Sequence, residues 1–110
     1  MICLKLPYPP SVNKAYRNVR GKGRVKTKAY RNWIDEAEVS SRLQSHARIG
    51  GPFRVRIVAH KPDKRRRDID NLIKTTLDFL CSEGFVEDDS LCQEVTARWG
   101  GSKPGIIVKL

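Results

Sequence analysis

Ile2, Leu4 and Leu6 alternate with Cys3 and Lys5, the two-residue period of a strand buried on one side. Pro7, Pro9 and Pro10 end that strand, and Ser11-Val12-Asn13 reads as a continuing loop. Gly21-Lys22-Gly23 separates two short stretches that can either pair as a hairpin or remain a mobile basic arm. From Thr27, a suitable N-cap, the apolar positions Tyr30, Trp33, Ile34 and Ala37 recur at helical spacing, and the helix fades before Gly50-Gly51-Pro52. Phe53, Val55, Ile57 and Ala59 alternate with Arg54, Arg56, Val58 and His60 in the clearest strand of the chain. A basic run, Lys61 to Arg67, is interrupted by Pro62 and Asp63. Helical spacing returns after Asp68 at Ile69, Leu72, Ile73, Thr76, Leu77 and Leu80, until Gly84 supplies a stop. Val95, Ala97 and Trp99 alternate once more, the chain turns through Gly100 to Gly105, and Ile106, Val108 and Leu110 form a last strand. The pattern predicts an α/β (α+β) fold, a small mixed β-sheet with two main helices packed on it. The predicted order is strand, basic loop or hairpin, helix, strand, helix, strand, strand, with no repeat or linker.

At 110 residues the chain is read as one domain, residues 1–110. No stretch approaches the ~18 apolar residues of a membrane span, and the opening segment is broken by Pro7 too soon for a secretion signal. The three cysteines, Cys3, Cys81 and Cys92, form no CxxC pair and read as reduced thiols of a cytoplasmic protein. His46 and His60 are too isolated for a zinc site.

Charge sharpens the picture. Lys and Arg number 22 against 12 Asp and Glu, a net charge of +10 that points to a polyanionic partner. Before Asp35 there is no acid, only Lys5, Lys14, Arg17, Arg20, Lys22, Arg24, Lys26, Lys28 and Arg31. Between Lys74 and Arg98 the reverse holds: Asp78, Glu83, Glu87, Asp88, Asp89 and Glu94 occur without a single base. Carboxylates repel the phosphates such a protein must approach, so this block either faces away or holds cations that bridge to phosphate.

The segment Arg65-Arg66-Arg67-Asp68-Ile69-Asp70-Asn71-Leu72-Ile73-Lys74 is the densest in chemistry. Asp68 and Asp70 fall at a helix entrance, where two carboxylates can converge on one point. Such a pair repels unless a cation holds it, and a hard divalent ion such as magnesium is the natural occupant. Lys74, four residues after Asp70, lies on the same helical face and suits charge neutralisation on a phosphate in the transition state. A third carboxylate would complete the site; spacing ranks none of Glu87, Asp88 and Asp89 above the others. The same residues also allow a plainer reading, with Asp68 as a cap and Asp70–Lys74 as a surface ion pair.

RRRDIDNLIK resembles the signature of the RusA family of Holliday junction resolvases. The opening Leu6-Pro7-Tyr8-Pro9-Pro10-Ser11-Val12-Asn13, with Tyr16-Arg17, resembles that family's proline-rich N-terminal pattern, and Gly84-Phe85 followed by Asp88-Asp89 matches in order and spacing. The middle, Asn32 to Phe53, matches only in general character. The resemblance implies a homodimeric crossover junction endodeoxyribonuclease, bacterial or phage-encoded, that cuts two opposing strands of four-way junction DNA with Mg2+, or Mn2+ as a substitute. It makes Asp68, Asp70 and Asp89 the metal ligands, choosing Asp89 over its neighbours, and Lys74 the catalytic lysine. Asp78 also matches a family position and is read as structural or secondary.

Lys22, Arg24, Lys26 and Lys28 are assigned to phosphate contacts made without base readout, and Arg17 is added to them. Arg65, Arg66 and Arg67, beside the candidate metal site, suit fixing the cut strand, although one of them can instead pair with an acid and hold the loop. Asn13 reads as a turn residue with a second role near the site. Trp33 and Trp99 read as core or dimer contacts, and Cys81 and Cys92 as small buried fillers. The rival to an enzyme is a non-catalytic basic nucleic-acid-binding module whose Asp residues cap a helix and pair with arginines.

Overall fold

The computed structural model describes residues 2–110, apart from the side chains of Val12 and Asn13. The elements run β1 (Cys3–Leu6), α1 (Val12–Ala15), β2 (Tyr16–Val19), β3 (Gly23–Lys26), α2 (Lys28–Gln44), β4 (Phe53–His60), α3 (Ile69–Ser82), a single 3-10 turn (Asp89–Leu91), β5 (Cys92–Trp99) and β6 (Gly105–Lys109). The fold is the expected small mixed sheet with two main helices. Of the two options for the basic segment, it takes the hairpin: β2 and β3 pair antiparallel, Tyr16 opposite Lys26 and Val19 opposite Gly23. Ser11-Val12-Asn13 is not simply loop. The Ser11 carbonyl accepts from the Lys14 and Ala15 amides at 3.0 and 2.8 Å, closing one helical turn before the hairpin.

The main sheet has the order β1-β6-β4-β5. β4 and β5 are parallel, with Val55 beside Val95 and Ala59 beside Trp99, and α3 carries the chain between them. β6, last in sequence, inserts between β1 and β4, antiparallel to both. Its entry is tight: a Cβ on Gly105, whose φ is +137°, would stand 2.8 Å from the Leu6 carbonyl oxygen, so glycine is required there.

The core lies between one sheet face and the two long helices. Leu4, Val55, Ile57, Ile106 and Val108 from the strands meet Trp33 and Ala37 of α2 and Leu72, Phe79 and Leu80 of α3. Thr27 starts α2 as expected, its side chain accepting from the Tyr30 amide, while its hydroxyl donates to the Lys14 carbonyl at 2.6 Å and ties the helix to α1. Trp33 is a core residue: its ring meets Phe79 edge-on at 5.5 Å, and its Nε1 donates to the Pro7 carbonyl at 2.8 Å, anchoring the proline-rich segment. At the far end of α2, Gln44 donates to the Lys5 carbonyl at 2.7 Å and accepts from the Lys5 amide at 2.6 Å, so a side chain occupies the edge of β1.

α3 ends where the pattern predicts. Gly84 takes φ +80°, the Phe85 amide donates to the Leu80 carbonyl at 3.0 Å, and the Gly84 amide to the Cys81 carbonyl at 3.1 Å. Those paired bonds are the C-terminal closure that glycine permits. Cys81 and Cys92 are only partly buried and Cys3 is exposed, so the filler role holds in part. Trp99 is half-buried against the core rim, with the Lys61 ammonium 4.7 Å from its ring.

Candidate active site

The proline-rich segment and the basic run face each other across a groove of about 1080 Å³. Tyr8, Pro9, Pro10, Ser11 and Lys14 line one side. Lys61, Pro62, Arg65, Arg66 and Arg67 line the other, with Asp68, Asn71 and Leu72 at the start of α3.

The basic run is folded by its one acid. Asp63 accepts from the Arg65 amide at 2.9 Å, an Asx turn, and Arg67 Nη2 reaches both Asp63 oxygens at 3.1 and 3.0 Å. The Arg65 amide and then the Arg67 guanidinium hold the Asp63 carboxyl below the usual carboxylate range. Arg67 also stacks over the Tyr8 ring at 5.0 Å, and burial raises the Tyr8 phenol above its ordinary value. Arg65 and Arg66 stay exposed, whereas the Arg67 side chain is 18% exposed.

Asp68 occupies the N-cap position of α3 in extended conformation but makes no side-chain cap bond. Asp70 lies in the first turn and, among the described residues, accepts only from the adjacent Asn71 amide, at 3.1 Å. Neither carboxylate has a salt-bridge partner among the described residues, although three arginines precede them. The free amides at the start of α3 supply a partial positive charge there.

Lys74 does not turn back to Asp70. Its Nζ lies 3.6 Å from Asp78 Oδ2, so a carboxylate, an ammonium and a carboxylate follow one another on one face of α3. Asp89 opens the 3-10 turn, and Asp88 caps it by accepting from the Ser90 amide at 2.9 Å. That bond keeps Asp88 low. Hydrogen bonding with Asp88, burial and the nearby charges of Asp88 and Asp78 raise Asp89. Asp78, Asp88 and Asp89 all lie near Cys81, whose thiol is pushed up chiefly by burial and then by the Asp89 and Asp88 charges. Asp70 and Asp78 are two helical turns apart, about 12 Å along the axis. Among the described residues no group of three or more His, Cys, Asp or Glu side chains is gathered closely enough to hold a metal ion. The donors are of the right chemistry for a hard divalent ion, all oxygen, with two of them free of ion pairs at a helix start.

The predicted phosphate contacts divide by place. Arg17, Lys22, Arg24, Lys26 and Lys28 are exposed on or beside the hairpin, where Arg24 leans over the Tyr16 ring at 4.3 Å and Lys26 lies 5.7 Å from Tyr30. Arg65, Arg66 and Arg67 line the groove, and the side chain of Asn13 lies outside the described residues. Sequence reasoning did not single out Tyr8, Lys14, Lys61 or Asp63. The usable signal was Asp63 two residues before Arg65, the spacing of an Asx turn.

A mixed sheet backed by two helices, with a cation-lined groove leading to carboxylates at a helix start, defines an α/β protein built to handle a polyanion. A family model described as "Endodeoxyribonuclease RusA" matches residues 7–110. The "Crossover junction endodeoxyribonuclease rusA" of Enterobacteria phage HK97 is 33% identical over 100 residues, covering 91% of this chain and 83% of that protein. The Escherichia coli K12 protein called "Crossover junction endodeoxyribonuclease RusA" is 39% identical over 89 residues, covering 79% and 72%, as is the Enterobacteria phage 82 protein. The chain belongs to the RusA family of endodeoxyribonucleases.

Proposed function

We propose that this protein is a single-domain, structure-selective endonuclease that resolves Holliday junctions by symmetric, metal-dependent phosphodiester hydrolysis in DNA recombination and repair. Family membership supports the nuclease class, and the names of the relatives support the four-way junction as substrate. The observation that carries the reading within the molecule is the state of Asp68 and Asp70. In a chain of net charge +10 they stand at the head of α3, beside the groove, without a cationic partner among the described residues. Carboxylates serving only to neutralise arginines would be paired, as Asp63 is.

Asp68, Asp70 and Asp89, which stand too far apart here to share an ion, would have to be drawn together to hold Mg2+ or Mn2+; the bound metal would supply an activated water and positive charge for phosphodiester hydrolysis. The chain's own residues do the rest. Arg65, Arg66, Arg67, Lys61 and Lys14 hold phosphate along the groove, and the hairpin cations extend that contact. Lys74 leaves Asp78 to neutralise charge developing on the reacting phosphate. A junction has two strands to cut, so a two-fold homodimer with one site in each protomer matches the substrate's symmetry.

The test is a synthetic four-way junction with magnesium or manganese. Unmodified protein nicks opposing strands, while Asp70→Asn binds the junction as well or better and does not cut. Absence of nicking by the unmodified protein with either metal overturns the reading in favour of a binding module. Sedimentation of the complex reads two protomers per junction.

A further inference from the structure

Arg67 differs from the other groove arginines in being held on two sides. Asp63 binds one end of its guanidinium through both carboxylate oxygens, at 3.0 and 3.1 Å, and the Tyr8 ring covers its face at 5.0 Å. Its Nε is buried and has no hydrogen-bond partner among the described residues. Tyr8 itself is fixed from the core, because the next residue but one before it in the strand exit, Leu6, is buried and the Pro7 carbonyl is bound by Trp33. One contact set therefore joins the two sides of the groove, residues 7–11 and 61–67, through a single cation.

We propose that Tyr8 and Asp63 are positioning residues for junction binding: they hold Arg67 in one conformation at the groove wall, so that it meets a DNA phosphate already ordered. The inference rests on the nuclease reading above and adds two residues to its machinery. A free arginine must surrender its rotamers when it binds phosphate; one ordered in advance does not. Arg65 Nε also lies 3.8 Å from Asp63, so one carboxylate is shared by two arginines; Arg67, the closer and less exposed of them, contributes by fixed geometry more than by bulk attraction, in contrast to exposed Arg66.

The experiment measures junction affinity without divalent metal, and single-turnover cleavage with magnesium, for Tyr8→Phe, Tyr8→Leu, Asp63→Asn, Arg67→Gln and the double variant Tyr8→Leu/Arg67→Gln. Tyr8→Leu and Asp63→Asn weaken binding about two- to tenfold, the cost of ordering one rotamer-rich side chain. Tyr8→Phe, which keeps the ring face, binds as the unmodified protein does. Tyr8→Leu adds no further loss once Arg67 is Gln, the signature of a residue acting through another. Cleavage rates at saturating protein stay within about twofold for Tyr8→Leu, placing the effect in binding rather than chemistry. Independently of DNA, the Arg67 Nε–H of unmodified protein shows restricted motion by NMR relaxation, while that of exposed Arg66 is mobile. Additive losses in the double variant, or an Arg67 as mobile as Arg66, overturn the positioning role and leave the nuclease reading intact. An unmodified protein that neither binds nor cuts a junction overturns both.

Discussion

Lys74 Nζ lies 3.6 Å from Asp78 Oδ2, and the pair sits on the face of α3 that begins with Asp70. The ammonium proposed for catalysis is thus parked on a carboxylate one turn further from the helix entrance, at a site 65% and 38% exposed. A pair this open to water is weak, so Lys74 can leave it at little cost. Asp78→Asn changes stability by less than about 0.5 kcal/mol in urea unfolding. Lys74→Met lowers single-turnover junction cleavage about 100-fold or more, while affinity changes only a few-fold. Equal losses in affinity and rate would show a mere phosphate contact.

The neighbouring acids Asp88 and Asp89 predict a titration. Asp88, stabilised by the Ser90 amide, is depressed, while Asp89 is raised by its hydrogen bonding with Asp88. Asp88→Asn removes that neighbouring charge, so Asp89 ionises at lower pH than in the unmodified protein. Carboxyl carbon shifts followed by NMR across the acid range read this directly; an unmoved Asp89 would mean the two carboxyls do not interact.

Stability should divide by depth. Leu80 is fully buried between α3 and the sheet, and Leu43 is 84% exposed on α2. Leu80→Ala costs about 2–5 kcal/mol of unfolding free energy. Leu43→Ala stays within about 0.5 kcal/mol. Comparable losses at both sites would place Leu43 in a contact made only between copies of the chain.

Glu83, at the C-cap of α3, is raised chiefly by burial and further by Glu38, with Arg42 opposing. A carboxyl that ionises later in the folded than in the unfolded chain favours folding at low pH, and that advantage is lost as pH rises through its folded value. Glu83→Gln removes this falling contribution. Its melting temperature therefore gains relative to the unmodified protein as pH rises from the acid range to neutrality, measured by calorimetry.

Much of this protein is written in local periodicity. The alternation of Phe53 to Ala59, the helical spacing of Ile69 to Leu80, the Thr27 cap and the Gly84 stop each follow from contacts within a few residues. The cluster RRRDIDNLIK was equally legible, because charge density needs no geometry to be seen. Three things were not legible: the insertion of β6 between β1 and β4, the grip of Gln44 on Lys5, and, beyond the expected pairing of one arginine with an acid, the choice of Arg67 and Asp63 and the Tyr8 ring that covers the guanidinium. Even the partner of Lys74, equally spaced between Asp70 and Asp78, was a choice that helical spacing leaves open. Periodicity records which face of an element avoids water. Which remote segment covers that face, and which of two equidistant charges a flexible side chain takes, is decided only when the whole chain closes and the competing contacts are compared in place.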